Sequence, residues 1–344
     1  MKSRQDQESP PKAHTTLKTI AEYTGFSVTT VSRALKNGDD VKEPTKEKVR
    51  EAARKLGYAP NLQGLGLRTG RNYNICCVIP MMKKTDIVGD FGSLSLLSGV
   101  TRGLENTPYH MSVVPIEASQ DPLEPIKYVV ESNLAGGIIF NNTKPNDPRV
   151  TYLHERHFPF ISFGQTEMSV NHAFVDIDNY DAGFRAVEYL YKQGCKRIRM
   201  VTAVKDYTYV WHKYYGFKRA AMEYGFAFND DCLIYDSYAN DYRAFARKIF
   251  AQEDYPDGLF CGSALSALGF IAGATDNGLV VGKDVKIICL ETCALATQFV
   301  PPVPGLRQDL MNVGIKLAQG LLKLIDGEDP KKLQLIEKVT FIDR

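Results

Sequence analysis

The stretch AEYTGFSVTTVSRAL, residues 21–35, determines the fold of the front of the chain. It contains two short segments with apolar residues at helical spacing, joined by TGFS at residues 24–27. Gly25 can take the left-handed backbone conformation that ends a helix, and Ser27 can cap the helix that follows. The pattern therefore predicts two helices connected by a tight turn.

The predicted second helix is apolar on one side only. Because an α-helix turns by about 100° per residue, Val31, Ala34 and Leu35 form one inward stripe. The residues left uncovered near its N-terminal end are Val28, Thr29, Ser32 and Arg33. This helix is expected to keep a polar side free of the core.

Two further helices complete a predicted headpiece, residues 15–60. Before the turn, Thr16 can cap a helix whose inward positions are Leu17, Ile20, Ala21 and Thr24. After Pro44, a third helix ends near Gly57, and its inward positions are Val49, Ala52, Ala53 and Leu56. Three short helices then share one small core.

The uncovered side of the second helix is typical of a helix that lies in the major groove of DNA. Arg33 can reach a guanine edge or a phosphate, Thr29 can contact a base edge, and Val28 can contact a thymine methyl. Short hydroxyls suited to phosphate oxygens are carried by Thr16, Thr30 and Ser32. The alternative interpretation is the solvated face of a small helical domain.

Charge is distributed unevenly along the chain. Residues 1–71 carry 14 Lys/Arg against 8 Asp/Glu, a net charge of +6, and residues 72–344 carry 28 against 32, a net charge of −4. A cationic patch confined to a small module is the usual footprint of a phosphate-bearing partner, and scattered solvated charge is the alternative.

Two polar segments flank the headpiece. Residues 1–14, MKSRQDQESPPKAH, predict a disordered tail without the apolar region of an export signal. Residues 61–72, NLQGLGLRTGRN, are rich in glycine and have no regular apolar stripe, so they predict a linker. No apolar run is long enough to span a membrane, and the protein is expected in the cytoplasm.

Beyond the linker, short apolar runs alternate with helical spans. The runs that predict strands are ICCVIP (75–80), MSVVPI (111–116), GGIIFN (136–141), PFISFG (159–164), FVDID (174–178), RIRMVTA (197–203), GLFCGS (258–263) and VKIICLE (285–291). Several are continuously apolar, which is typical of parallel strands covered by helices on both faces. Residues 73–344 therefore predict two doubly wound α/β lobes, which bind ligands beyond the carboxyl ends of their strands.

The segments TLKTIAEYTGFSVTTVSRALKN and TKEKVREAARKLGYAPN resemble the head of the LacI/GalR family of bacterial transcription regulators. The most specific motifs are SVTTVSRAL, GYAPN and VDIDN, and the likeness covers residues 15–344. It implies an all-α helix-turn-helix DNA-binding domain in residues 15–60 and a hinge in residues 61–72. For residues 73–344 it implies a periplasmic-binding-protein-like domain that binds the effector and dimerises.

The resemblance also implies a hinge that becomes helical only on operator DNA, where a leucine from each subunit enters the minor groove. Leu67 occupies that position, and Leu17 and Asn61 complete the implied DNA-contacting set. The family's usual Ala-Arg-Ser before this leucine is Gly64-Leu65-Gly66 here. Each glycine disfavours a helix by about 1 kcal/mol relative to alanine. The alternative for Leu67 is a linker residue that rests on the body.

A sugar-like effector needs carboxylates and amides for its hydroxyls and an aromatic wall for its C–H faces. By resemblance, the strand-end residues expected to pair with hydroxyls are Asn141, Asp178, Asn179 and Glu291. Lys213 stands where the family has an effector-binding arginine, and it offers a point charge instead of a planar fork. The remaining expected lining residues are Phe91, Gln165, Trp211 and His212. Helix capping, or a structural role for Trp211 and His212, is the alternative.

The seven cysteines form no paired framework and are expected to be reduced core residues. Cys289 and Cys293 lie four apart, but no second pair with ligand spacing is near them, so no metal is expected. No nucleophile elbow or nucleotide-binding loop is present, so no catalytic residue and no cofactor is predicted.

The sequence therefore predicts a DNA-binding transcription regulator, a repressor, that binds a pseudo-palindromic operator as a dimer under the control of a sugar-like effector. A solute receptor for a transporter would carry an export signal and no basic head. A sugar-processing enzyme stays open as an alternative, because fold and function separate freely.

Overall fold

The computed structural model describes residues 15–59, 62–81, 91–117, 120–202, 205–229, 232–235 and 241–344. The chain divides into two compact units, residues 1–71 and 72–344. The predicted disordered tail, residues 1–14, lies outside the described residues.

The first unit is helical in its described part. Its helices are α1 (Leu17–Thr24), α2 (Val28–Leu35), α3 (Glu43–Lys55) and α4 (Leu62–Thr69). Gly25 ends α1 with a φ of +75°, as the sequence predicts. The fully buried side chains of Ile20, Val31 and Val49 come from α1, α2 and α3 and form the predicted core.

Helix α4 occupies part of the segment whose composition predicts a linker. The Thr69 hydroxyl donates to the carbonyl oxygen of Leu65 at 2.9 Å, and Gly70 follows the helix with a φ of +67°. A Cβ atom at Gly66 would lie 2.7 Å from the carbonyl oxygen of Arg71. Glycine at position 66 therefore lets the chain turn back against the end of α4, which the composition alone does not reveal.

The second unit contains two six-stranded sheets. The strands of the first sheet, in the order β11-β5-β4-β3-β1-β2, are β1 (Asn74–Met81), β2 (His110–Glu117), β3 (Gly137–Phe140), β4 (Phe160–Phe163), β5 (Ala173–Ile177) and β11 (Gln334–Glu337). Every neighbouring pair in it is parallel. We call this sheet and its helices lobe 1.

The second sheet repeats this arrangement. Its strands, in the order β12-β10-β9-β8-β6-β7, are β6 (Ile198–Thr202), β7 (Leu233–Tyr235), β8 (Gly258–Cys261), β9 (Lys286–Glu291), β10 (Gly305–Arg307) and β12 (Thr340–Ile342). Its pairs are parallel except for β12, which runs antiparallel to β10. We call this sheet and its helices lobe 2. The eight predicted strands and the doubly wound architecture are confirmed.

Helices cover both sheets. They are α5 (Phe91–Gly103), α6 (Leu123–Glu131), α7 (Pro148–Glu155), α8 (Asn179–Lys192), α9 (Thr208–Glu223), α10 (Tyr242–Phe250), α11 (Ala264–Asp276) and α12 (Leu310–Ile325), with short 3₁₀ helices at Ala294–Gln298 and Pro330–Leu333. Helix α8 follows β5 but packs on lobe 2, and α12 follows β10 but packs on lobe 1. The chain therefore crosses between the lobes, and the carboxyl ends of β5 and β10 lie at the crossings.

Close packing of α8 against α9 fixes the position of the central part of α9. A Cβ atom at Gly216 would overlap the backbone of Tyr180, and one at Gly183 would overlap the backbone of Lys213. Only glycine permits this approach, so the two helices hold Lys213 at a fixed depth against lobe 2.

The seven cysteines are free thiols, six of them buried, as expected. Burial raises the pKa of the Cys77 thiol, and it also raises that of Cys289 to about 12. Among the described residues, no helix is both long and apolar enough to cross a membrane. The same residues contain no cluster of three or more His, Cys, Asp or Glu that could hold a metal ion.

Candidate functional site

Two surfaces of the molecule carry the predicted functional residues, one in each unit. The first is the N-terminal end of α2. Ser27 caps this helix through its hydroxyl oxygen, which accepts from the amide of Thr30 at 3.1 Å. Helix α1 is capped in the same way, since the Thr16 hydroxyl accepts from the amide of Thr19 at 3.3 Å. These caps fix both helix starts, where backbone N–H groups can face phosphates.

The side of α2 opposite the core is uncovered. Val28 is 45% exposed, Thr29 and Arg33 are also exposed, and Ser32 and Thr30 are half-buried. Val31 and Ala34 on the other side are completely buried. The headpiece core is therefore complete without the polar side of α2, which stays available for a partner.

Arg33 is held by a residue that sequence reasoning missed. Its Nη1 atom donates to Oδ2 of Asp40 at 2.6 Å, and the two side chains are 60% and 53% exposed. Asp40 follows α2 in the turn that leads to α3, and Gly38 in that turn donates its amide to the carbonyl of Arg33 at 2.9 Å. The only sequence signal for this contact is an acidic residue a few positions after the end of α2.

Around this ion pair lies a shallow pocket with a volume of about 490 Å³. Its lining residues are Phe26, Ser27, Thr29, Thr30, Arg33, Asp40, Val41, Lys42 and Thr45. Three of the predicted DNA-contacting residues, Thr29, Thr30 and Arg33, share it. Lys42 and Thr45, which sequence reasoning also missed, add a cation and a hydroxyl from the start of α3.

The other predicted DNA contacts are distributed over the same unit. Thr16 is exposed at the start of α1, and Leu17 is half-buried against the headpiece core. Leu67 lies within α4, but its side chain is outside the described part of the chain. Asn61 is also outside the described residues.

The second surface is the cleft where the carboxyl ends of the strands of the two lobes face each other. Lys213 on α9 is 3% exposed, and its Nζ lies 4.6 Å from the ring centre of Tyr209. Gly262, which follows β8, lies next to the Lys213 side chain. A Cβ atom built on Gly262 would be 3.9 Å from Nζ of Lys213. Burial lowers the pKa of Lys213 to about 8, and the charge of Asp176 opposes this shift.

Asp176 is a buried carboxylate at the end of β5 that sequence reasoning did not single out. Its Oδ1 accepts from the amide of Ile177 at 2.8 Å and from Nδ2 of Asn179 at 3.3 Å. Its Oδ2 accepts from the backbone and side-chain nitrogens of Gln165 at 3.2 and 3.1 Å. Burial raises the pKa of Asp176, and these donors partly offset the effect. Because four donors already occupy Asp176, Lys213 keeps its own donors for another partner.

A polar bridge joins the two lobes at this cleft. Gln165, in the loop after β4, approaches Nδ1 of His212 on α9 with its Nε2 at 3.4 Å. His212 Nε2 lies 2.7 Å from Oε1 of Glu167. A neutral imidazole with its proton on Nε2 satisfies both contacts, because Gln165 then donates to Nδ1 and Nε2 donates to Glu167. Gln165, Glu167 and His212 form what we call the lobe bridge.

A second contact between the lobes lies beside the lobe bridge. Thr208, the first residue of α9, donates its amide and its hydroxyl to the carbonyl oxygen of Thr143 at 2.9 and 3.2 Å. Thr143 in turn donates its hydroxyl to the carbonyl oxygen of Gln165 at 2.8 Å. The start of α9 is therefore attached to two loops of lobe 1.

Asn141 follows β3 and is buried, and its Oδ1 has no hydrogen-bond partner among the described residues. Its backbone is fixed, because Arg149 Nη1 donates to its carbonyl oxygen at 3.1 Å. Arg149 also forms a buried ion pair with Asp147, with Nη2 and Oδ2 at 2.7 Å. Asn141 thus presents a buried acceptor that a ligand hydroxyl could satisfy.

The remaining predicted effector residues have other contacts. Asp178 caps α8, since its Oδ1 accepts from the amide of Asp181 at 2.9 Å. Glu291, the last residue of β9, is completely buried, and its Oε1 pairs with Arg307 and Arg344 at 2.9 Å each. Its Oε2 has no partner among the described residues. Phe91 is the first residue of α5, and its side chain is outside the described part.

Comparisons with known proteins agree with this architecture. Residues 16–61 match the family described as bacterial regulatory proteins, lacI family, and residues 187–344 match the periplasmic binding protein-like domain. The HTH-type transcriptional regulator AglR of Rhizobium meliloti (strain 1021) is 29% identical over 325 residues, which cover 92% of this chain and 90% of the relative. Catabolite control protein A of Priestia megaterium is 28% identical over 337 residues, which cover 95% and 98% of the two chains.

Solved structures share the fold over nearly the whole chain. The lac repressor dimer bound to operator and the anti-inducer ONPF superposes with a TM-score of 0.78 at 19% identity, covering 96% of this chain and 98% of that one. The complex of the transcriptional regulator CelR with cellobiose has a TM-score of 0.71 at 22% identity, covering 96% and 99%.

A helix-turn-helix headpiece followed by a two-lobed ligand-binding fold defines a DNA-binding regulator with a periplasmic-binding-protein-like domain. The chain belongs to the LacI family of bacterial regulatory proteins. It is a DNA-binding transcription regulator.

Proposed function

We propose that the protein represses transcription by binding a pseudo-palindromic operator as a homodimer, and that a small sugar or sugar derivative bound in the cleft sets its DNA affinity. The uncovered side of α2 carries the first part of the proposal. A complete core behind it leaves Thr29 and Arg33 exposed at the helix start that enters a major groove in helix-turn-helix proteins.

In this proposal the DNA-contacting residues divide into two groups. Val28, Thr29 and Arg33 read base edges, because they lie on the exposed side of α2. The residues that position the headpiece on the backbone are Thr16, Leu17, Thr30, Ser32 and Asn61. Leu67 in α4 enters the minor groove, where two symmetry-related leucines kink the duplex.

The cleft supports a polyhydroxylated ligand. Lys213 offers buried donors, Asn141 Oδ1 and Glu291 Oε2 offer buried acceptors, and Gln165 and His212 line the seam between the lobes. The cellobiose complex of CelR and the family's catabolite control protein support a sugar as the ligand class. The lac repressor dimer on its operator supports the homodimer.

Effector binding would act through the lobe bridge. A ligand that replaces the contact between Gln165 and His212 changes how lobe 1 sits on lobe 2, and a rigid-body change of this kind typically couples two sites by about 1–3 kcal/mol. In this proposal the chain binds DNA and a ligand and catalyses no reaction. The names of its relatives, which describe regulators, support this.

To test the proposal, the full chain first selects its preferred DNA from a random library. Binding to the selected DNA is then titrated and monitored by fluorescence anisotropy. We expect the selected sequence to have two-fold symmetry, and log affinity to fall linearly with log salt by about 0.9 for each phosphate contact. In parallel, thermal melting of the full chain is measured with a panel of sugars, since a ligand raises the melting temperature by mass action. An asymmetric site without salt dependence would end the proposal.

A further inference from the structure

Helix α9 directs its side chains to two different sides. Lys213 is buried toward Gly262 at the carboxyl end of β8. Trp211 and Tyr215 each lie two residues from Lys213, which places them about 200° away around the helix. Tyr215 is 51% exposed, in keeping with this outward direction. Trp211 therefore faces away from the side on which Lys213 is buried.

On the side of α9 that carries Trp211 there is a cavity with a volume of about 410 Å³. Its lining residues are Pro145, Glu167, Trp211, His212 and Tyr215. The first two come from loops of lobe 1 and the other three from α9 of lobe 2, so the cavity lies on the seam between the lobes. Its volume is within the range of small-molecule sites, about 300–1,000 Å³. We call it the seam pocket.

One wall of the seam pocket is aromatic. The rings of Trp211 and Tyr215 have centres 6.1 Å apart and an interplanar angle of 28°, so two nearly parallel aromatic rings line this wall along α9. Trp211 is steadied from the side by Tyr214, whose ring meets it at 85° and 5.9 Å. A face of this kind packs against flat apolar groups, which include the C–H face of a sugar ring.

The rim of the seam pocket is polar. The Glu167 amide donates to the carbonyl oxygen of Pro145 at 3.0 Å, which fixes the two loops of lobe 1 together. Glu167 Oε1 is held by His212 at 2.7 Å, whereas Oε2 has no hydrogen-bond partner in the described part of the chain. The pocket therefore offers a free carboxylate acceptor next to the aromatic face.

The geometry points to a second ligand site: the seam pocket binds a neutral sugar ring, stacked on Trp211 and Tyr215 and hydrogen-bonded through a hydroxyl to Glu167. An aromatic wall with a carboxylate at its edge matches the apolar face and polar edge of a pyranose. An anionic ligand does not fit, because no Lys or Arg is among the lining residues and Glu167 would repel it. Since both lobes form the walls, a bound sugar reinforces the lobe bridge.

This inference assigns a site beside the cleft of the proposed function, with which it shares His212, and the chain provides its own probe. Trp211 is the only tryptophan in the sequence, so the intrinsic emission reports on this pocket. The experiment titrates the full chain with D-glucose, D-galactose, maltose and cellobiose, recording tryptophan emission and, by calorimetry, the number of sugars bound per chain.

We expect a saturable change in emission with at least one of these sugars. Tyr215→Ala should weaken that response by about tenfold, which corresponds to the loss of one stacked ring. Lys213→Met, on the opposite side of α9, tests whether the response comes from the cleft instead. Tyr128→Ala removes a similarly exposed tyrosine from α6 of lobe 1 and serves as the matched control.

Three results would overturn the seam pocket as a sugar site. The first is an emission that no sugar in the panel changes. The second is a response that Lys213→Met abolishes and Tyr215→Ala leaves intact, which would assign all binding to the cleft and leave the proposed function standing. The third, tested by a parallel titration with choline as a cationic probe, is a response to choline but to no sugar, which would replace the ligand class. Conversely, if sugars bind the seam pocket but no sugar alters DNA affinity, the proposed function fails and this inference stands.

Discussion

Asp40 holds the guanidinium of Arg33 through a single hydrogen bond of 2.6 Å from Nη1, on the exposed side of α2. The bond leaves Nη2 and Nε of Arg33 without a partner among the described residues, and these two nitrogens form a fork that fits the O6 and N7 atoms of guanine. Asp40 therefore restricts where the fork points while leaving it free to bind. Both side chains are more than half exposed, so the contact adds little to stability, and we expect it to act on DNA recognition instead.

Replacing Asp40 should change specificity. In Asp40→Asn the charge-assisted contact is lost, and we expect affinity for the selected operator to fall about fivefold, or about 1 kcal/mol. Affinity for unrelated DNA should rise, because a negative charge leaves the DNA-facing surface. Anisotropy titrations on both DNAs measure the ratio.

The neighbouring residue provides a control for charge alone. Asp39 is exposed beside Asp40, and the structure shows no ion pair for it among the described residues. Asp39→Asn should raise affinity for both DNAs about equally. Equal behaviour of the two variants would show that Asp40 acts only through its charge.

Two substitutions in the hinge, residues 61–72, should change operator affinity in opposite directions. Gly64→Ala restores the alanine usual in the family and should favour α4 by about 1 kcal/mol, which raises operator affinity about fivefold for each hinge. Gly70→Ala should lower operator affinity, because Gly70 has a φ of +67° that strains any other side chain. Circular dichroism of the full chain with and without operator would show whether helix content follows. If both variants behave alike, ordering of α4 does not control affinity.

Local signals made most of the fold predictable. The stop at Gly25 and the caps at Thr16 and Ser27 depend on residues a few positions apart, and the structure has all three. The strands that sequence reasoning missed are β7, β10, β11 and β12, each of three or four residues. Runs this short carry too little periodicity, and they are strands only because a neighbouring strand pairs with them.

The site was less predictable than the fold. Lys213 and Asn141 were found through the family resemblance. Asp176 was missed, because its importance comes from donors such as Gln165 that only the fold brings near it. The contact of Thr208 with Thr143 joins residues 65 positions apart, and neither residue carries a local signal for it.

The lowered pKa of Lys213 predicts how effector binding depends on pH. Burial lowers this pKa to about 8, so the ammonium is present below pH 8 and is lost as the pH rises through 8. A ligand that accepts hydrogen bonds from the ammonium should bind more weakly above this point, by at most about tenfold per pH unit. Lys213→Arg should be insensitive over the same range, because guanidinium stays charged. Calorimetry in two buffers near pH 8 should show that ligand binding takes up protons. If the unsubstituted protein and Lys213→Arg have the same pH profile of binding, Lys213 does not donate to the ligand.

The buried pair of Arg149 and Asp147 predicts a large loss of stability. Burial acts to raise the pKa of Asp147, but the hydrogen bonds and charge of Arg149 outweigh it and lower the pKa overall. Arg149→Met leaves this carboxylate buried and unpaired, so we expect the free energy of unfolding of the second unit to fall by about 3–5 kcal/mol. Urea denaturation followed by Trp211 emission measures it. Arg219→Met breaks an exposed pair with Glu223 and should change stability by less than about 1 kcal/mol. Comparable losses in the two variants would show that burial of the Arg149 pair has no special role.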